Sequence, residues 1–165
     1  MRTQIQAYLL FLFLFTVFTG PLYPQNTGRI PPLNQRILQY VESVVGTRVD
    51  RGECWDLARQ ALDRSGASWD GSYGFGKVVK YRKEEVLPGD IVRFEKVMVQ
   101  YTKGLTTYTE NYNHHTAIVY RVKGRGQFEL AHQNTGFSGK KVGVSSLNLD
   151  HVIRGKITVY RAVSE

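Results

Sequence analysis

Arg51-Gly52-Glu53-Cys54-Trp55-Asp56-Leu57-Ala58 holds the only cysteine among 165 residues. After Cys54 the apolar residues Leu57, Ala58, Ala61 and Leu62 recur at helical spacing. That spacing predicts a helix whose first turn carries Cys54 on its inward face. Gly52 lets the backbone turn tightly into the helix. A thiol in this position sits in the positive field of a helix N-terminus, close to unpaired backbone N–H groups. Both favour the thiolate and so favour a nucleophile. The plainer alternative is a small buried hydrophobe on an apolar helix face.

Working outward toward the amino end, Thr47 to Asp50 lead into this helix. Asn34 is the expected cap of an earlier helix, with Ile37, Leu38, Val41, Val44 and Val45 on its apolar face and Gly46 closing it. Its expected role is packing. Residues 25–33, polar with Gly28 and a proline pair, read as a linker. Before them, Arg2 and the apolar run from Ala7 to Phe18 read as a secretory signal peptide over residues 1–24, too short to span a bilayer comfortably. The cut would fall between Thr19 and Gln25, and an uncleaved segment would leave a membrane anchor. No cysteine follows the run, which argues against a bacterial lipoprotein. The expected location is secreted or periplasmic, with residues 34–165 as a single domain.

A lone cysteine in a secreted chain has no internal partner for a disulfide, which flags reactivity. The formal net charge is +8, and a basic balance favours anionic partners such as cell-wall polymers, membrane surfaces or nucleic acid. Lys and Arg are scattered rather than run together, so a dedicated nucleic-acid binder is not expected. No Gly-rich loop with a phosphate-directed Lys is present, which leaves nucleotide binding without support.

Toward the carboxyl end, the cysteine helix is expected to fray near Ser65-Gly66. Trp69 to Gly76 is a Gly- and aromatic-rich loop in which Trp69 and Tyr73 are candidates for a substrate-facing wall, although Trp69 and Phe75 suit core plugs equally well. From Val86 the pattern turns to strands. Leu87-Pro88-Gly89-Asp90 is a turn feeding Ile91 to Phe94, and Asp90 reads as a structural turn residue. Val97 to Thr102 is a second run. His115 to Tyr120 has a buried-strand pattern, Lys123-Gly124-Arg125-Gly126 a hairpin turn, and Phe128 to Gln133 the next strand. Ile157 to Val163 is the last. Helices first and a strand meander afterwards indicate α+β with an antiparallel sheet.

A thiol nucleophile needs a base and a group that orients the base. Side chains alternate along a strand, so His115 shares a face with Ala117 and Val119, and His132 shares one with Asn134. The Gly124-Arg125-Gly126 hairpin would bring His115 and His132 together under the cysteine helix. His114 points to the opposite face, and His151 lies in a basic surface stretch. Tyr101, Tyr108 and Tyr112 read as strand packing.

These motifs in this order resemble the CHAP and NlpC-type branch of the papain-like cysteine hydrolases. Gly52-Glu53-Cys54-Trp55 is similar to the Gly-Gln-Cys-aromatic nucleophile signature of CHAP domains. Leu87-Pro88-Gly89-Asp90-Ile91-Val92 is similar to the family's turn before its first core strand. His115-Thr116-Ala117-Ile118-Val119 resembles its His-Val-Ala-Ile-Val strand, and His132-Gln133-Asn134 falls where CHAP domains carry Glu-Gln-Asn. The resemblance spans roughly Gly46 to Val163. It implies a papain-like fold with the nucleophile helix packed on the sheet. It implies further that Cys54 attacks an amide carbonyl, that His115 is base and then acid, and that His132, helped by Asn134, orients His115. The oxyanion would rest on the Cys54 N–H and an unassigned donor. The implied substrate of a secreted, basic member is peptidoglycan, cut at stem or cross-link peptides. No cofactor or metal is implied, a monomer is expected, and a protein inhibitor is an open partner class.

Glu53 and His132 depart from the family pattern, and a carboxylate at Glu53 would raise the thiol pKa. Cysteine-proteinase-fold domains also occur in fungal cortical-actin proteins without established activity, so a non-catalytic wall- or protein-binding module is the main alternative. A zinc site on Cys54, His115 and His132 is a weaker one, because the short ligand spacings of zinc sites are missing.

Overall fold

The computed structural model describes residues 30–164; the expected signal peptide and most of the expected linker lie outside them. The chain begins with a helix, α1 (Pro32–Val44), and continues into the cysteine helix, α2 (Cys54–Ser65). Strands follow: β1 (Lys77–Val79), β2 (Ile91–Lys103), β3 (Thr106–Gly124), β4 (Gln127–His132), β5 (Gly143–Asn148) and β6 (Val152–Arg161). They form one antiparallel sheet in the order β1-β6-β2-β3-β4-β5.

Helix α1 starts three residues earlier than an Asn34 cap predicts, with Pro31 at the cap position and Pro32 in its first turn. Proline fits there because its missing N–H would be unpaired anyway. The domain therefore already includes Pro32 and Leu33, and Asn34 lies inside the helix, fully buried. Helix α2 is held by a reciprocal cap. The Glu53 side chain accepts from the Asp56 backbone, and the Asp56 carboxylate accepts the Glu53 N–H at 3.1 Å. At its other end Gly66 takes a left-handed conformation, φ 72°, and closes the helix.

The sheet buries both faces. On one, Ile91, Ile118, Ala131 and Tyr160 pack against Ile37 and Val41 of α1 and Leu57, Ala58, Ala61 and Leu62 of α2. On the other, Val92, Phe94, Ala117, Val119, Leu130 and Val159 form a second cluster that neither α-helix covers, with Leu149 of the short 3-10 turn Leu149–His151 packed against it. The sheet coils around this cluster, so that Arg125 in the β3–β4 turn donates to the Arg82 carbonyl beyond β1 at 3.2 Å. The two expected strands Ile91–Phe94 and Val97–Thr102 are one long strand with a bulge at Lys96, whose φ is 53°. Strand β5, at the sheet edge, was not anticipated from its polar Ser145-Ser146 stretch. The last strand runs five residues earlier than expected, from Val152.

Asp90 ties the layers together. Its carboxylate is fully buried and accepts from Asn34 Nδ2 at 2.9 Å, Leu87 N–H at 2.8 Å and Arg161 at 3.0 and 2.8 Å. One side chain thus joins α1, the turn before β2, and β6. Gly89 beside it has φ +85°, and an added Cβ would stand 2.6 Å from the Asn34 carbonyl oxygen. Removing one partner of a buried ion pair leaves a charge without compensation. We therefore expect Asp90→Ala to cost about 3–5 kcal/mol in urea unfolding, while Leu105→Ser, at the exposed tip of the β2–β3 hairpin, stays within about 0.5 kcal/mol.

Candidate active site

Strand β4 ends at His132, so β3 has no partner on that side next to His114 and Thr116. The N-terminus of α2 fills the gap. Cys54 is the first residue of the helix and is half-buried. Its Sγ lies 4.0 Å from the His114 carbonyl oxygen and also meets the Thr116 backbone N–H. His115 is the residue between these two anchors. The backbone N–H groups of Trp55 and of Cys54 itself face the sulfur as well.

His115 and His132 share one face, as the alternation along β3 and β4 predicts. It is the face of Phe94, Ala117 and Leu130, away from the helix core, and not the expected face under α2; α2 reaches the pair only at the β3 edge, through its N-terminus. His115 Nε2 is 2.9 Å from His132 Nδ1, and His132 Nε2 is 2.8 Å from Ser145 Oγ on β5. Tyr112 lies against both imidazoles, with ring centroids 5.1 and 6.5 Å away, and its hydroxyl donates a hydrogen bond to Glu110 at 2.5 Å. Phe94 and Phe137 cover the rest of the pair.

The other sequence candidates fall elsewhere. Asn134 does not join the histidines. The chain leaves the strand after His132 and Asn134 takes φ 62°, so the two-residue alternation stops. Its amide donates to Glu53 at 2.7 Å instead. Trp69 packs as a core plug against Trp55 and Phe75, and its indole N–H donates to Asp63 at 3.0 Å. Tyr73 is exposed, with the Arg93 guanidinium 4.8 Å above its ring. His114 is exposed and on the opposite face from His115. His151 stacks on Tyr101 at 5.8 Å.

Two residues of the site had no signal strong enough to single them out. Ser145 lies in the polar stretch between the expected strands, where no strand pattern marks it. Gln133, fully buried, accepts from the Val49 N–H at 3.2 Å and donates to the Val49 and Glu53 carbonyls at 3.0 and 2.8 Å. It fastens the segment before Cys54 to the end of β4. Lys140 pairs with Glu53 on the outside of the same segment. The Lys140 Cβ would meet a Cβ on Gly52 at 2.8 Å, and Gly52 has φ +82°.

The electrostatics favour the neutral forms of the thiol and of both imidazoles. Burial raises the Cys54 thiol pKa. The Thr116 and Trp55 N–H groups oppose this, and the Glu53 carboxylate adds to it. Burial lowers His115 to about 4. Burial and the neighbouring His115 lower His132 to about 3. Among the described residues no carboxylate hydrogen-bonds to either ring.

With this geometry in place, the comparison with known proteins is direct. Residues 33–165 match the AIM3/BBC1 cysteine proteinase-fold domain. The chain belongs to that family. Its fold is the α+β cysteine-proteinase fold, two helices followed by a six-stranded antiparallel sheet. No curated protein matches the chain. Among solved structures it is similar to the crystal structure of Ly7917, at 17% identity and a TM-score of 0.46. It is also similar to Ly7917 with the hydrolyzing product of MDP, at 19% identity and a TM-score of 0.46. In both cases the match covers 77% of this chain and 62% of the other, so the chain spans less than two thirds of those proteins.

The neutral imidazoles set an acid limit on stability. Above pH 6.5 neither folded nor unfolded chain protonates them, and they contribute no slope. Between 6.5 and about 4 the unfolded chain takes up protons that folded His115 and His132 refuse. Stability therefore falls as pH falls, by about 1.4 kcal/mol per pH unit for each ring. Asp56, held below its usual value of 3.8 by Arg51 and the Glu53 N–H despite its burial, acts only at lower pH. Urea midpoints measured from pH 7 down to pH 5 are expected to drop steadily, and a flat profile would contradict the burial of the pair.

Proposed function

We propose that the chain is a cysteine hydrolase of amide bonds. The observation that supports this best is the lodging of the Cys54 thiol at the β3 edge, between the backbone groups that flank His115. Cys54 is the nucleophile, His115 the base through Nδ1, and His132 the residue that fixes the His115 ring through Nε2. In the reaction Sγ attacks the carbonyl carbon while His115 Nδ1 takes the thiol proton. The Cys54 and Trp55 N–H groups, at the helix N-terminus, suit the oxyanion. Collapse expels the amine, which receives the proton from His115, and leaves a thioester that water hydrolyses. The substrate class we propose is peptidoglycan stem or cross-link peptide, reached outside the cell membrane. A net charge of +8 would concentrate the protein on an anionic wall polymer.

A second reading has its own support. The raised thiol pKa, the depressed imidazoles and the nearby Glu53 carboxylate disfavour a preformed thiolate, which suits a non-catalytic binding module on the same fold. Iodoacetamide separates the two, because Cys54 is the one labelling site. The hydrolase reading expects labelling to slow at least tenfold in His115→Ala. It also expects cleavage of muropeptides with release of a new amine, lost in Cys54→Ala. Identical labelling of wild type and His115→Ala from pH 6 to pH 10, with no cleavage, would leave the binding module.

A further inference from the structure

The hydrogen-bond chain at the site ends in an unusual way. It runs from His115 through His132 to the Ser145 hydroxyl, with no carboxylate among the described residues along it, and the catalytic-pair reading adds Cys54 at its head. In a neutral imidazole one ring nitrogen donates and the other accepts, so the tautomers of neighbouring rings are linked. When the thiol holds its proton and His115 Nδ1 is free to accept, His115 Nε2–H must donate to His132 Nδ1. His132 Nε2–H then donates to Ser145 Oγ. The opposite arrangement satisfies the same two contacts, with Ser145 O–H donating to His132 Nε2 and His132 Nδ1–H to His115 Nε2, and it leaves His115 Nδ1–H for a Cys54 thiolate. A hydroxyl can end both arrangements because it donates and accepts equally well. A carboxylate could end only the first.

We propose that Cys54, His115, His132 and Ser145 form a hydrogen-bond chain that reverses direction when the thiol ionises, with Ser145 as the positioning residue that permits both directions. The proposal rests on the reading of Cys54 and His115 as a catalytic pair. Its protons balance. The S–H bond breaks and a bond to His115 Nδ1 forms, and the His115 Nε2 proton passes to His132 Nδ1. The His132 Nε2 proton passes to Ser145 Oγ, whose own proton leaves to water. Ser145 is partly exposed on the edge strand β5, so the chain ends within reach of solvent. One proton is released, one thiolate is formed, and neither ring becomes a cation. Return of a proton through Ser145 restores the first arrangement after His115 has protonated the leaving amine.

The surroundings fit a device that avoids imidazolium. Tyr112, Phe94 and Phe137 enclose the rings, and the Tyr112 hydroxyl is turned away to Glu110. The charged groups around the site are Glu53, the cap of α2 beside Cys54, which pairs with Lys140 from the loop after β4, and Glu110, which takes the Tyr112 hydrogen bond. Both rings are held well below the ordinary histidine range by burial.

The test is nitrogen NMR of the full chain with 15N-labelled histidine, titrated through the ionisation of Cys54, with His115→Gln and His132→Gln used for assignment. The expected result is that His115 and His132 stay neutral and exchange protonated nitrogens together, Nε2 to Nδ1, and that Cys54→Ala abolishes the exchange. Ser145→Ala is expected to raise the apparent thiol pKa, read from iodoacetamide labelling against pH, by about one unit, a tenfold loss of thiolate. Ser145→Thr is expected to restore it, which a purely structural role would not require. Imidazolium signals from His115 as the thiol ionises would overturn the proposal in favour of an ordinary ion pair, with the hydrolase reading intact. So would an unchanged thiol pKa in Ser145→Ala. A wild-type Cys54 that resists alkylation at every pH would instead overturn the hydrolase reading, and the chain with it.

Discussion

The buried amide of Gln133 is the contact on which the site depends. A primary amide carries a donor and an acceptor on one rigid plane, and here both sides are engaged by a single stretch of backbone, Val49 to Glu53. The stretch is irregular and ends at a helix that must begin at one defined point. Where β4 leaves the sheet, β3 presents unpaired backbone groups, which are costly to bury. Gln133 sits at that departure point and draws the N-terminus of α2 into the vacancy. The thiol is thus placed by backbone satisfaction as much as by apolar packing. Replacing the amide by an apolar group of equal size would strand the Val49 and Glu53 carbonyls and release the thiol from β3.

Placement and activation come from different sources here. The helix N-terminus favours thiolate, but the acid nearest to it, Glu53, serves as the helix cap and partner of Lys140 and Asn134, and its field works against ionisation. The histidines meet edge to face, at an interplanar angle of 73°, in an aromatic enclosure that disfavours cations. Where a thiolate–imidazolium pair would need a polar or anionic third member, this site offers a second imidazole and a hydroxyl. Those groups can relay protons without holding charge.

Much of this was legible in the chain itself. The 3.6-residue spacing after Cys54, Gly52 before it and Gly66 beyond it define α2 closely, because they are local signals. The facing of His115 and His132 followed from strand alternation and the Gly124-Arg125-Gly126 turn, which fix register over a short hairpin. Asn134 was misplaced for a local reason: alternation holds only while the strand continues, and a left-handed residue ends it. Ser145 and Gln133 were hidden for a non-local one. Their partners lie 13 and 84 residues away, and no periodicity reports such distances. Strand β5 was missed because an edge strand with one face toward solvent tolerates Ser145 and Ser146 where an interior strand would show an apolar run.

The strand order carries a consequence for biosynthesis. Strand β6 is the last to be made, yet it lies between β1 and β2 in the interior of the sheet, and its Arg161 neutralises the buried Asp90. A nascent chain that has emerged through β5 still has a gap in the middle of its sheet, an uncompensated carboxylate beneath α1, and β1 without any neighbour. Cotranslational folding of this domain is therefore deferred until residue 161 clears the ribosome, and the long β2–β3 hairpin spends that interval with an open edge. The molecule assembles from its final strand inward, which places its aggregation risk in the interval just before synthesis reaches that strand.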